Sequence, residues 1–245
     1  MSVPTTAFEQ IKLLADDTRW RIMQALRTSD MQVSELVEQT GLAQNLVSYH
    51  INVLRQAGFV HMHRSDADAR ANYYGLDLTA LSALHHNLGS ALAIPSPTLP
   101  LPLHVQTVVF LCRANSARSQ MAEGWLRALS GGRIAVRSAG TQPTQLHPLA
   151  LRVMAERGID IGHHGSKHVD SLAALTPDVV VTVCDIAREA CAVWSRAERR
   201  IHWSIPDPVN VNDVAERLVA FRSVRDDLHQ RVLGLLALLG QHEQG

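Results

Sequence analysis

Apolar side chains recur at helical spacing through the first part of the chain, then gather into short unbroken runs separated by helical stretches. Phe8, Ile11, Leu14 and Ala15 predict a first helix, and Trp20, Ile22, Met23 and Leu26 a second. A third short helix fits Val33 to Gln39, with Gly41 as a turn. A fourth spans Asn45 to Gln56, carrying Leu46, Val47, Ile51, Val53 and Leu54, and Gly58 is placed to end it. Phe59 to Arg64 and Ala71 to Leu76 read as paired strands around a polar turn, and Thr79 to Ala93 as a last helix with Leu81, Leu84, Leu88 and Leu92 on one side. Short helix, tight turn and second helix is an arrangement that seats the second helix in a major groove, and the strand pair makes a wing. A helical bundle used only for protein contacts fits the same periodicity.

Ile94 to Leu103 reads IPSPTLPLPL. Four prolines in ten residues neither continue a helix nor pair inside a sheet, so this is a stiff connector or a long surface loop. Beyond it, Val105 to Leu111, Ile134 to Ser138, Val179 to Cys184 and Ile201 to Ile205 predict strands. Helices fit the stretch after Ser119, Leu146 to Arg157, and Val211 to Leu239, the last with a break at Gly234. The expected architecture has two domains. Residues 1–93 form a mainly α winged helix-turn-helix for DNA binding and dimerisation, and 94–103 a proline-rich linker. Residues 104–245 form an α/β three-layer domain, with a four-stranded parallel sheet and helices on both faces.

Composition narrows the function classes. The chain has 245 residues, 46% of them hydrophobic, and a formal net charge of zero, so any nucleic-acid contact must come from local basic residues. No apolar run approaches the roughly 20 residues that cross a bilayer, and the start does not read as a signal peptide, so no membrane partner is expected. Three cysteines, Cys112, Cys184 and Cys191, are not a disulfide scaffold and suggest a reducing cytoplasm.

The chemistry concentrates between the first strand of the second domain and its helix. Cys112, Arg113, Ala114, Asn115, Ser116, Ala117, Arg118 and Ser119 form a short loop with the pattern Cys-x5-Arg. Such a loop turns backbone N–H groups inward, and the following helix adds its positive end, so an oxyanion is the expected ligand. Arg118 offers a planar fork for two oxygens, nest and arginine favour a thiolate at Cys112, Ser119 can donate to its sulfur, and Asn115 can brace the loop.

Two resemblances sharpen this reading. LVSYHINVLRQAGFVHMHRSDADARANYYGLD is similar to the winged-helix repressors of the arsenic-responsive, metal-sensing family, over about Phe8 to Ala93. In that family the helix holding Ser48, Tyr49 and His50 reads DNA, and the first and last helices pair the subunits. The expected contacts are Gln44, Asn45, Ser48, Tyr49, His50, Asn52 and Arg55, with Arg64 and Arg70 on the wing, in a homodimer on double-stranded DNA. This module has no cysteine, so a three-thiolate arsenic site within it is impossible; no metal site is expected.

CRANSARSQMAEG and RSAGT, the latter Arg137 to Thr141, resemble the low-molecular-weight protein tyrosine phosphatases, over about His104 to Leu239. Asp207-Pro208 matches the pair that supplies their general acid. Aromatic residues common after that pair are replaced by Val209 and Asn210, which weakens a phosphatase reading. VVTVCDIAREAC, Val180 to Cys191, resembles the redox segment of thioredoxin-coupled arsenate reductases. That resemblance implies arsenate as substrate, attack by Cys112, a Cys112–Cys184 disulfide passed to Cys184–Cys191, and no bound cofactor, with reduced thioredoxin or a similar dithiol protein as electron donor. Seven residues of intact helix span about 10 Å, beyond disulfide reach, so the segment must unwind or loop. Some members bind potassium; Asn115, Glu123 and Ser138 match contributing positions, but Lys167 stands where a further acidic group is expected, so no potassium requirement is predicted. A phosphatase, inert extra cysteines, or a regulator with an anion-sensing second domain are the alternatives.

Overall fold

The computed structural model describes residues 6–92, 107–190 and 197–240. The chain divides into two compact units, Met1–Pro100 and Leu101–Gly245. The segment 94–103 and Cys191 lie outside the described residues.

In the first unit, α1 (Ala7–Leu14), α2 (Asp17–Ala25), α3 (Val33–Thr40) and α4 (Gln44–Gln56) lead into a hairpin of β1 (Val60–Arg64) and β2 (Asn72–Leu76), followed by α5 (Leu78–Ala91). Polar side chains start the helices: Thr6, Asp16 and Asp77 accept backbone N–H groups at the first turns of α1, α2 and α5. Gly41 ends α3 in the left-handed conformation, φ 65°, and so makes the tight turn into α4. The apolar stripe of α4, Val47, Ile51 and Leu54, is buried against Ile22, Leu36 and Phe59. That burial fixes which side of α4 remains for solvent. The hairpin is antiparallel, with Val60 opposite Leu76 and Arg64 opposite Asn72, and Ser65 Oγ accepts the N–H groups of Ala67 and Asp68 in its turn.

The second unit is an α/β domain around a four-stranded parallel sheet. Its strands are β3 (Thr107–Cys112), β4 (Ala135–Gly140), β5 (Val179–Thr182) and β6 (Arg199–His202), in the order β4-β3-β5-β6. The central strand β3 is a continuous apolar run because it is covered: Val108, Val109, Phe110 and Leu111 are all buried. The helices are α6 (Arg118–Leu129), α7 (Pro148–Ala155), α8 (Asp185–Ala190) and α9 (Val214–Gly240). Trp125 and Leu126 of α6 join Phe221, Leu228 and Val232 of α9 in the same core as β3. The break expected at Gly234 does not occur. One glycine costs a helix about 1 kcal/mol relative to alanine, and the buried Val232, Leu235, Leu236 and Leu239 hold α9 continuous through it.

Both cysteines of the described residues lie at carboxyl ends of neighbouring strands: Cys112 closes β3, and Cys184 follows β5. The ladder brings them together. Leu111 pairs with Thr182, and Val183 N–H donates to the Leu111 carbonyl at 2.8 Å.

Candidate active site

The loop after β3 is shaped from outside. Five successive carbonyls are taken by donors behind it. Cys112 O accepts from Thr141 N at 3.3 Å, Arg113 O from Gln142 N at 2.8 Å, Ala114 O from Thr144 N at 2.9 Å and Ser116 O from His147 N at 2.9 Å. Asn115 O accepts from Ser166 Oγ at 2.5 Å and Gln120 Nε2 at 3.1 Å. With these carbonyls taken from outside, peptide N–H groups of the loop remain available to its interior, as an anion nest requires. Asn115 N–H already points at the Cys112 sulfur, 3.0 Å away.

Two residues make this path possible. Asn115 has φ 45°, in the left-handed region that asparagine tolerates better than most side chains. Gly140 leaves room for the loop: a Cβ there would meet Arg113 O at 2.5 Å and Asn115 N at 2.8 Å. Helix α6 starts immediately after, and no side chain caps it. Its first N–H groups are thus left for a bound anion, which would act as the cap.

The buried side chains of the loop hold one another. Asn115 Nδ2 donates to Ser119 Oγ at 3.0 Å and to Ser138 Oγ at 2.9 Å, and Ser119 Oγ lies 2.9 Å from Cys112 Sγ. Asn115 Oδ1 accepts from Lys167 N at 2.8 Å and Gln120 Nε2 at 3.1 Å. Behind Gln120, its Oε1 accepts from His164 Nδ1 at 3.0 Å, and the other ring nitrogen faces Arg127. Burial first, and Arg127 among other cations, hold the His164 imidazole down at about 4, while Glu123 pulls the other way. The ring is thus neutral and fits a chain of bonds from Arg127 to the loop. Arg127 also pairs with the buried Glu123 at 2.5 Å.

Arg118 is buried. It donates through Nη1 to Ile205 O at 2.8 Å and through Nη2 to Asp207 Oδ2 at 2.5 Å. Asp207 opens a short 3-10 turn, Pro208–Asn210, and its other oxygen accepts from Val209 N. Arginine and acid therefore meet across the loop mouth. His147, which caps α7, stacks on Phe221 at 4.7 Å; burial and then Arg217 lower its pKa, with Asp207 opposing.

Cys184 lies beside this loop in a different electrical setting. Burial pushes its thiol up to about 12; Arg118 opposes that rise, the Cys112 sulfur adds to it, and the N–H groups of Ala187 and Arg113 oppose it. Both the first sulfur and the Arg118 guanidinium thus act on Cys184. Its Sγ accepts from Ala187 N at 3.3 Å, in the first turn of α8.

The structure therefore brings together Cys112, Asn115, Ser116, Ala117, Arg118, Ser119, Cys184 and Asp207. Ala114 joins through its backbone. Arg113 is corrected in part: its side chain is exposed and bonded to Gln142 Oε1 at 2.9 Å, so only its backbone belongs to the loop. The return segment Thr141–His147, Gly140 and the Gln120–His164–Arg127 chain were not singled out from sequence. The RSAGT stretch pointed towards the first two; nothing local pointed to the third.

On α4, Gln44, Asn45, Tyr49, Asn52 and Arg55 are exposed and Ser48 is half-buried, all left outward by the packed stripe. His50 corrects the expectation. It is 8% exposed, with Nδ1 3.7 Å from Asp16 Oδ1, so it faces the helix bundle rather than a groove. Both wing arginines are exposed; Arg64 bonds to Ala69 O, and Arg70 pairs with Asp68 at 3.2 Å.

Comparison with known proteins agrees with this division. Residues 16–62 match the model of bacterial regulatory proteins of the arsR family, and residues 107–244 that of low molecular weight phosphotyrosine protein phosphatases. An arsenate reductase of Bacillus subtilis (strain 168) is 39% identical over 126 residues, 51% of this chain and 91% of the relative. A glutaredoxin arsenate reductase of Synechocystis sp. is 36% identical over 133 residues, 54% of this chain and 98% of the relative. A solved arsenate reductase in the phosphate binding state is 36% identical with a TM-score of 0.50, covering 55% of this chain and 99% of that one. The β3–loop–α6 unit and its matched sequence leave one assignment: behind an arsR-type helix-turn-helix segment, the chain belongs to the low molecular weight phosphotyrosine protein phosphatase family, in company with its arsenate reductases.

Proposed function

We propose that the second domain reduces arsenate to arsenite through Cys112, Cys184 and Cys191, and that the first binds DNA as a transcriptional regulator. The observation that carries the reductase reading is Cys184. It is a second buried sulfur at the end of the next strand, acted on by both Cys112 and Arg118. Hydrolysis of a phosphate ester requires no such group.

Arsenate enters the loop of inward N–H groups and takes the Arg118 fork, displacing Asp207. The freed Asp207 then carries a proton for the departing oxygen. The Cys112 thiolate attacks arsenic(V), and that oxygen leaves as water. Cys184 next attacks the Cys112 sulfur. A sulfur–sulfur bond forms, the sulfur–arsenic bond breaks, and its electron pair stays on arsenic, which leaves as arsenite. Cys191 attacks Cys184, releasing Cys112 as a thiolate, and an external dithiol protein such as thioredoxin reduces the Cys184–Cys191 disulfide.

Burial holds the Cys184 thiol protonated, the Cys112 sulfur adds to that and Arg118 opposes it, so Cys184 must give up its proton before it attacks.

In the first domain, Gln44, Asn45, Ser48, Tyr49, Asn52 and Arg55 would meet base edges and phosphates, with Arg64 and Arg70 reaching the backbone. Helix α1 buries none of its residues and leaves Phe8 67% exposed; packed beside α5, it suits a twofold pairing of subunits. No helix among the described residues is long and apolar enough to cross a membrane, and a cytoplasmic setting suits unpaired cysteines.

The test is arsenate with thioredoxin, thioredoxin reductase and a nicotinamide reductant. Arsenate-dependent consumption should vanish in C112S, and multiple turnover should fail in C184S and C191S. Normal turnover in both secondary variants would overturn the relay. Efficient hydrolysis of an aryl phosphate by C184S, without arsenate reduction by the parent protein, would establish a phosphatase instead.

A further inference from the structure

The relay described above uses Cys184 but leaves its polar neighbours without a role. Thr182 and Asp185 flank Cys184 in the chain, and both reach the same imidazole. His202, on β6, stands opposite Thr182 in the ladder. Thr182 Oγ1 lies 2.8 Å from His202 Nδ1, and Asp185 Oδ1 lies 3.1 Å from His202 Nε2. All three side chains are buried. One tautomer satisfies both bonds: Nε2–H donates to Asp185, and Nδ1 accepts the Thr182 hydroxyl.

Burying three polar side chains incurs desolvation that an apolar trio of similar volume would avoid. What the arrangement supplies is a fixed bracket across the backbone that carries Cys184. Asp185 is the first residue of α8, and its position also sets the helix end whose Ala187 N–H reaches the Cys184 sulfur. The relay needs the chain between Cys184 and Cys191 to leave a helical path, because seven residues of helix would span about 10 Å, outside disulfide range. Unwinding that began at Cys184 itself would carry the sulfur away from Cys112.

We propose that His202 is a positioning residue: bonded to Thr182 on one side of Cys184 and to Asp185 on the other, it holds that sulfur beside Cys112 while the segment from Ile186 onward unwinds to deliver Cys191. The proposal rests on the thiol relay and deepens it by naming the fixed end of the moving segment.

The experiment uses the full chain with C191S, so that the first disulfide is retained. Reduced protein is treated either with arsenate or with diamide, which takes two electrons and two protons from a pair of thiols. Cys112–Cys184 formation is followed by quenching, alkylation and peptide mass, and arsenite by its own assay. His202→Ala, Asp185→Ala and Thr182→Val should slow disulfide formation about tenfold or more, as displacement of a reacting group does. Asp185→Asn keeps an oxygen acceptor for Nε2–H and should restore most of the rate. Alkylation of Cys112 by iodoacetamide, and its protection by phosphate, should stay within about twofold of the parent, since the loop's own bonds are intact. Parent-like disulfide rates in the Asp185→Ala and Thr182→Val proteins would overturn the proposal. So would equal slowing of Cys112 alkylation, which reports general loosening. If the parent forms no arsenite yet shows this dependence with diamide, the arsenate reading fails and the role of His202 stands.

Discussion

The two functional surfaces of this chain are built in opposite ways. In the second domain Asn115, Ser119, Arg118 and Ser138 are buried and bonded to one another or to the backbone before any ligand arrives. In the first, the reading side of α4 is exposed, and its side-chain bonds are local: Asn45 Oδ1 accepts from Leu46 N at 2.9 Å, and Arg55 donates to Asn52 Oδ1 at 3.4 Å. A pinned site has its ordering cost met during folding, whereas long exposed side chains lose freedom when the ligand binds. Substitutions in the loop should therefore cost chemistry steeply. Those on α4 should give graded, salt-sensitive losses.

The largest effect should come from Gly140→Ala. The added methyl meets backbone on both sides, so the loop itself must shift, and a misplacement near 1 Å costs roughly 100-fold. Arsenate-dependent kcat/KM together with a thermal melt checks this; activity within a fewfold of the parent would mean that the loop is less rigid than its bonds suggest. Asn115 is a finer probe. Asn115→Gly keeps the left-handed backbone but loses the amide's bonds to Ser119, Ser138, Lys167 N and Gln120; the two donated bonds alone, at about 1 kcal/mol each, are worth roughly thirtyfold. Asn115→Ala loses the bonds and strains the backbone, and should fall lower still in the same assay.

The step from Cys184 to Cys112 should respond to pH. Because burial holds the Cys184 thiol near 12, its thiolate fraction, and the single-turnover rate of disulfide formation in C191S, should rise about tenfold per pH unit above neutrality until another step limits. The sign for stability is opposite. A thiol held protonated by the fold stabilises below its unfolded pKa, and that contribution is lost as pH rises towards about 12. A flat rate from pH 7 to 9 would mean that formation of the arsenic adduct already brings Cys184 close to ionisation.

The smallest effect belongs to the other surface. Arg55→Ala should weaken DNA binding about equally across sequences and reduce the dependence of log K on log salt by roughly one. Because His50 is buried beside Asp16, His50→Gln should alter thermal stability more than the salt slope; a lost salt slope would return His50 to the DNA surface.

Much of this was legible in the sequence where the signal is contiguous. A strand, a Cys-x5-Arg loop and a helix follow one another, so the anion loop could be read with its backbone conformation implied. What escaped detection acts through the backbone or across distance. Thr141–His147 shapes the loop with peptide N–H groups, which carry no side-chain signature. Thr182, Asp185 and His202 meet only because β5 and β6 are neighbours. On α4 the helix itself was clear, but its edge was not. A residue between the apolar stripe and the polar face can turn either way, and His50 turns inward to Asp16. At Gly234 local propensity argued for a break, and the buried side chains around it prevailed.

The pairing of Arg118 with Asp207 has one more consequence. An arsenate oxyanion can outbid a carboxylate for the guanidinium, but arsenous acid is uncharged at neutral pH and has no such claim. As soon as the metalloid is reduced, the aspartate regains its partner and the spent ligand has lost its hold. A neutral product would thus be discharged by the domain's own counter-charge, and the same contact would discourage weaker anions from lodging in the idle loop.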